Sequence, residues 1–254
     1  MTEAARVVAI VLAAGAGSRF GGRKLVAPLD GRPLIAHPVR TALDCGIGRV
    51  VVVTGSDGDE VEAALRMDGV PVDAIVDPIA PTAGADTAPA MSAEPRGSGG
   101  VSHGGARVGA IRNEAWPTGL ASSVRCGLRA TVADDAGAGI ESVLLLLGDQ
   151  PRVRTETIAL LLAVEVDAAR PIAVAVHGTG GAPNPVLVHR SAWRLADDLV
   201  GDRGFGPLIA ARPELVTSVD VAGGNPDVDT RDDLDRLAAE PTGKAHDAAD
   251  AGRA

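Results

Sequence analysis

Residues 7–12, Val-Val-Ala-Ile-Val-Leu, form an unbroken apolar run with no polar position to mark a solvent-facing side. That is the pattern of a short strand covered on both faces. Residues 50–54 and 143–147 repeat it, and 172–176, 185–189 and 215–221 read as further strands, with 71–76 a weaker candidate. Between these runs the apolar spacing lengthens to that of helices. Residues 34–44 predict a helix with Pro33 at a tolerated early position, Gly46 at its end, and a kink or late start at Pro38. Residues 57–67 are amphipathic, with Val61, Ala64 and Leu65 facing inward. Further helices are expected from near Leu120 and over 155–168, 193–199 and 231–239. Strands alternating with helices predict an α/β fold, a Rossmann-like three-layer sandwich around a mostly parallel sheet.

The alternation breaks at 78–107, which is nearly all Ala, Gly, Pro, Ser, Thr and Asp. Such a segment buries too little surface to offset its ordering entropy, so a disordered insertion is expected, an inert linker rather than a lid. His103 stands alone among glycines there and is set aside as a metal ligand. The chain is expected to be a single domain over 1–240, interrupted by this insertion, with a flexible tail over 241–254.

Composition narrows the picture further. Hydrophobic residues make up 46% of the 254 positions, aromatics only 2%, and Tyr is missing. The core must be built from Val, Leu, Ile and Ala. A formal net charge of −9 argues against nucleic acid as a partner, because a phosphate backbone demands a basic face. Cys45 and Cys126 are too few and too far apart for a disulfide framework or a zinc cluster. No apolar run approaches the roughly 20 residues needed to span a bilayer, and the start lacks a leader pattern. A soluble, cytoplasmic protein with no membrane partner is expected.

The first strand empties into Ala13-Ala14-Gly15-Ala16-Gly17-Ser18-Arg19-Phe20-Gly21-Gly22-Arg23-Lys24. A loop of small residues exposes backbone N–H groups to a phosphate chain, and Arg19 and Lys24 add fixed positive charge. The spacing is neither the phosphate loop of ATPases nor the dinucleotide fingerprint. Alone, the loop reads first as a tight turn with surface charges. The strand at 143–147 changes that reading, because it ends in Gly148-Asp149-Gln150-Pro151. Ligands of open α/β sheets sit beyond the carboxyl ends of the strands. If the two strands are parallel neighbours, a cationic phosphate loop faces a carboxylate able to hold a metal. Asp227 and Asp229, two apart after the last strand, share a side of an extended chain; equally, Asp229 or Thr230 caps the helix that follows. Ser122 and Ser123 read both as helix-start hydroxyls and as groups touching a base or ribose. His37, His177 and His189 read as structural.

These motifs, in this order, resemble the MobA/MocA-like nucleotidyltransferases: Leu12-Ala-Ala-Gly-x-x-Ser-Arg-Phe-Gly-x-x-Lys24, Asn113 with Trp116-Pro-Thr-Gly119-Leu-Ala-Ser122-Ser123, Leu147-Gly148-Asp149-Gln150-Pro151, Asn184-Pro185-Val186-Leu187, Gly201-Asp202-Arg203-Gly204 and Asp227-Val228-Asp229-Thr230. The resemblance implies a fold like that of nucleotide-diphospho-sugar transferases. It implies Leu12, Ala13, Ala14, Gly15, Gly17, Ser18, Arg19, Lys24, Thr54, Asn113, Gly119, Ser122 and Ser123 at the nucleotide. Mg²⁺ would lie on Asp149 and Asp227, with Asp229 a cap or supporting residue. Gln150, Asn184, Pro185 and Asp202 would lie on the acceptor side, and Phe20 is read as packing. Arg19, Lys24 and Asp149 would be catalytic. Ala14 and the Gly148-Asp149-Gln150-Pro151 text look like the cytidylyl branch, which moves CMP from CTP to the terminal phosphate of a molybdopterin-type cofactor and hands the product to a molybdoenzyme or its chaperone. Two alternatives stand beside it. One is a nucleotidyltransferase of the same fold using GTP or another acceptor phosphate, on a sugar, an alcohol or a phospholactate. The other is a non-catalytic molybdenum-cofactor carrier.

Overall fold

A computed structural model describes residues 3–74, 105–134, 139–178 and 180–240. Among these the strands are β1 (Val7–Ala13), β2 (Pro28–Leu29), β3 (Arg32–Pro33), β4 (Arg49–Thr54), β5 (Val72–Ala74), β6 (Arg107–Arg112), β7 (Ser142–Leu147), β8 (Ile172–His177), β9 (Val186–His189) and β10 (Val216–Val221). Helices are α1 (Ala36–Asp44), α2 (Gly58–Met67), α3 (Leu120–Asp134), α4 (Thr155–Leu162), α5 (Gly206–Ala211) and α6 (Arg231–Ala239). β2 and β3 form a small hairpin, and the other strands form one sheet in the order β10-β8-β9-β7-β1-β4-β6-β5. All pairs of that sheet are parallel except the two made by β9.

β1 lies at the centre, parallel to β4 and β7. Its side chains alternate between two cores, as a period of two demands. Val7, Ala9, Val11 and Ala13 pack with α1, α2 and α4, while Val8, Ile10 and Leu12 pack with α3 and the 190–198 segment. A third cluster joins Phe20, Leu29 and Leu34 to Val228, Leu234 and Leu237. Phe20 is therefore packing, and it ties the end of the glycine loop to the segment carrying Asp227 and Asp229.

Several expectations change. The strand β6 begins inside the stretch read as an insertion: only residues 78–104 of it lie outside the described residues, and Arg107 pairs with Arg49. Residues 241–254 also lie outside them. Pro33 belongs to the hairpin rather than to a helix start, and α1 takes the late start, with Pro38 in its first turn where no N–H is missed. The helix expected to 168 stops at Leu162, where the Val164 N–H donates to the Leu161 carbonyl, and Asp167 accepts from the Ala169 and Arg170 N–H groups in a separate turn. Residues 190–198 wind as a 3-10 helix.

Candidate active site

The central register decides where the chemistry sits. Leu12 pairs with Leu147, and the Gly148 N–H donates to the Leu12 carbonyl at 2.9 Å. The glycine loop and Asp149 therefore leave adjacent parallel strands at the same level, on the carboxyl rim of the sheet. Gly148 allows this closeness, since a Cβ there would lie 2.9 Å from Ile35 Cδ1 and 3.2 Å from the Leu12 oxygen. The Val228 N–H donates to the Asp149 carbonyl at 3.0 Å, which stitches the C-terminal aspartate segment to the same strand end.

Charges converge there. Lys24, nearly buried, donates from Nζ to Asp149 Oδ2 at 2.6 Å and reaches Asp229 Oδ1 at 3.5 Å. Arg19 Nη1 lies 3.5 Å from Asp229 Oδ2. Asp229 is thus a partner of the loop cations and caps nothing; Thr230 is the cap of α6, in a reciprocal capping box with Asp233. Gln150 Nε2 donates to Asp227 Oδ1 at 2.8 Å. Burial of the Asp227 carboxyl pushes its pKa up, the Asp149 carboxylate adds to the rise, and the Gln150 bond opposes it. Among the described residues no cluster of three or more Asp, Glu, His or Cys side chains is placed to hold a metal ion by itself. Asp149 and Asp227 offer hard carboxylate oxygens, which suit a divalent cation that would take its remaining ligands from water and phosphates.

Other expected contacts resolve differently. Gln150 and Asn184 are buried and bonded to each other through Asn184 Nδ2 and Gln150 Oε1. Asn225 Nδ2, which sequence reasoning did not single out, also donates to Gln150 Oε1, at 2.9 Å. Of the acceptor-side set, Gln150 thereby holds Asp227 rather than facing outward, and Pro185 follows Asn184 through a cis peptide bond. Asp202 Oδ1 accepts from the Leu120 N–H at 3.2 Å, so it caps α3 from a distant loop. Asn113 Nδ2 donates to Ser122 Oγ at 2.8 Å and Ser123 Oγ at 3.0 Å, in a buried network. The Thr54 hydroxyl is buried and donates to the Ile111 carbonyl. Thr54, Asn113, Ser122 and Ser123 are buried among these partners, while Asn184 and Asp202 also line a cleft. Gly119, at φ +106°, lets α3 approach the 201–202 loop. Each expected structural histidine has a local bond: His37 to Leu29 O, His177 to Asn184 O, and His189 to Ser191. Beside Leu12 and Leu147 opens a cleft of about 520 Å³, lined mostly by apolar residues including Leu145, Val186 and Phe205, with Asn184 and Arg203 among its few polar ones.

Comparison with known proteins places this geometry. The profile described as "MobA-like NTP transferase domain" matches residues 9–98 and 96–216. Bifunctional protein GlmU of Agrobacterium fabrum is 38% identical over 71 residues, which is 27% of this chain and 16% of that protein. GlmU of Halorhodospira halophila is 48% identical over 62 residues, 24% of this chain and 13% of the relative. The chain thus matches only a small part of the length of these curated relatives. A homologue of Mycobacterium tuberculosis Rv0371c from Mycobacterium sp. strain JC1 superposes with a TM-score of 0.64 at 25% identity, over 92% of this chain and 96% of that one. Rv0371c itself, in complex with manganese, gives 0.58 at 23% over 91% and 97%. CMP:2-keto-3-deoxy-manno-octonic acid synthetase complexed with CTP gives 0.61 at 16% over 92% and 97%, a likeness of fold.

Proposed function

The chain belongs to the MobA-like NTP transferase domain family, and from that premise we propose that it transfers CMP from CTP to the terminal phosphate of a molybdopterin-type cofactor, releasing pyrophosphate. The observation that carries nucleotidyl transfer is the meeting of Lys24 with Asp149 at 2.6 Å where the glycine loop leaves the sheet. The choice of CTP rests on Ala14 and the Gly148-Asp149-Gln150-Pro151 text.

An oxygen of the acceptor phosphate attacks the α-phosphorus, the bond from that phosphorus to the bridging oxygen breaks, and pyrophosphate departs with the electron pair. A phosphate monoester has its second pKa near about 6, so the attacking oxygen is anionic without a protein base. The loop amides of Gly15 to Ser18, with Arg19 and Lys24, hold the β- and γ-phosphates and stabilise the charge that builds on the leaving group. Held by Asp149, the Lys24 ammonium keeps further N–H groups for phosphate oxygens. Asp149 and Asp227 would hold a Mg²⁺ ion, which would supply neutralisation of the phosphate charge.

The test is pyrophosphate release with Mg²⁺ and each of CTP, GTP, ATP and UTP, with and without purified molybdenum cofactor. Release with CTP that requires the cofactor and disappears in Asp149→Ala is expected. Nucleotide binding without release from any of the four refutes this acceptor. The apolar lining of the 520 Å³ cleft favours a second acceptor reading, an alcohol phosphate with an apolar body, scored in the same assay.

A further inference from the structure

The chain has four aromatic side chains, and three have clear structural places. Phe20 and Phe205 are buried in apolar clusters. Trp193 is buried, donates Nε1–H to the Val188 carbonyl at 3.1 Å, and lies under the Arg190 guanidinium. Trp116 differs on every count. It is partly exposed, joins none of the three apolar clusters, and its indole has no hydrogen-bond partner among the described residues. An aromatic left over by the core on the rim where ligands bind is a contact surface in search of a flat partner.

Its position is fixed with care. Trp116 opens the 3-10 turn Trp116–Thr118 between β6 and α3. Its N–H donates to the Asn113 carbonyl at 3.2 Å, and its carbonyl accepts from the Gly119 N–H at 3.0 Å. The preceding residue is held four ways: Asn113 Oδ1 accepts from the Ala115 N–H, and the Ala115 carbonyl accepts from the Thr118 N–H and from the Thr118 and Ser122 hydroxyls. The buried Asn113–Ser122–Ser123 network is thus a mount for this turn. Gly55 sets how close the ring comes to the loop. A Cβ on Gly55 would lie 2.6 Å from the Ala14 carbonyl oxygen and 3.1 Å from Trp116 Cγ. The indole therefore closes over Gly55 toward Ala14, while the space above Gly15 is open, with nothing within 4 Å of a Cβ there.

We infer that Trp116 is a wall of the nucleotide site, its ring face stacking on the nucleobase of the triphosphate whose phosphates follow the loop from Gly15. The inference rests on the proposed nucleotidyl transfer. Stacking is tolerant of base identity because every base has a π-face, so Trp116 supplies affinity for all four nucleotides. Asn113, Ser122 and Ser123 act through it as positioning residues.

With only two tryptophans, the emission of the wild-type protein reports the wall directly. CTP added to the protein is expected to quench emission, with a Kd equal to that from equilibrium dialysis of labelled CTP. In Trp116→Phe the quench disappears while the dialysis Kd stays within about 3-fold. In Trp116→Ala the Kd rises about 5- to 100-fold for CTP, GTP, ATP and UTP alike, and binding of inorganic tripolyphosphate is unchanged. CTP binding by dialysis with no change in emission, and an unaltered Kd in Trp116→Ala, overturns the inference and leaves the proposed transfer standing. Absence of binding of any of the four triphosphates overturns both.

Discussion

Two glycines near the site, Gly119 and Gly15, make opposite demands, and substituting alanine at each separates folding from chemistry. At Gly119 a Cβ would lie 2.5 Å from the Gly201 carbonyl carbon, 2.6 Å from its oxygen and 2.8 Å from Asp202 Oδ1. Two of those atoms are backbone, and the same loop caps α3 through Asp202 and accepts from the Ala121 N–H at 3.0 Å. Overpacking against such a wall costs about 1–3 kcal/mol. A non-glycine residue at φ +106° adds about 1–3 kcal/mol of backbone strain. Together Gly119→Ala should destabilise the fold by about 2–6 kcal/mol, a fall in Tm of about 5–20 °C at this chain length. Gly15 has open space and an ordinary φ, so Gly15→Ala should leave Tm within about 2 °C. A methyl group there stands where the phosphates approach the loop, and pyrophosphate release should drop at least about 10-fold. Thermal unfolding by calorimetry and the release assay are run on both variants. A Gly119→Ala protein melting with the wild type would refute the clamp between α3 and the 201–202 loop. Full activity in Gly15→Ala would refute the phosphate path.

Three other outcomes follow from the charges. The raised Asp227 pKa means that ionising this carboxyl weighs against the fold. The penalty is present at neutral pH and vanishes as pH falls below about 3.8, the ordinary carboxylate value. Asp227→Asn, which can still accept from Gln150, should raise Tm at pH 7 but not at pH 3.5, while pyrophosphate release is lost; an unchanged Tm at pH 7 refutes the sign. Burial lowers the His37 pKa below 6.5, so the folded chain favours the neutral ring. Its contribution is complete above about 6.5 and is lost as pH falls toward the lowered value, and His37→Gln should flatten urea-unfolding stability across that window. Asp233 is held down to about 2 by bonds from Thr230. Its contribution is present above about 3.8 and lost as pH falls toward 2. Thr230→Ala should cost about 1 kcal/mol at pH 7, with a smaller difference at pH 2.

The parts of the site carried by strand ends were legible in the sequence. The apolar runs at 7–12 and 143–147 announce doubly covered strands, so Gly15, Lys24 and Asp149 could be placed on one rim before their register was known. Asp227 and Asp229 were legible as a pair, but their division of labour was not, since it depends on Lys24 and Gln150 reaching them across more than 75 positions. β6 was hidden because Gly109 interrupts its pattern and a low-complexity run precedes it. The bonds of Asn113 to Ser122, of Asp202 to the start of α3 and of Asn184 to Gln150 were not legible, because each joins side chains that only the fold brings together. Trp116 was visible within its motif, while its freedom from the core is a tertiary fact.

The cluster that joins Phe20 to Val228 also sets a clock. Lys24 and Asp229 are 205 positions apart, and a ribosome adding about 5–20 residues per second takes about 10–40 s to get from one to the other. β1, β4 and β7 can pair well before that, so the nascent chain owns the centre of its sheet and the glycine loop before it owns Asp227 and Asp229. A polypeptide released early would carry the loop without the C-terminal carboxylates. Synthesis therefore withholds the complete charge constellation until nearly all of the described chain has left the ribosome.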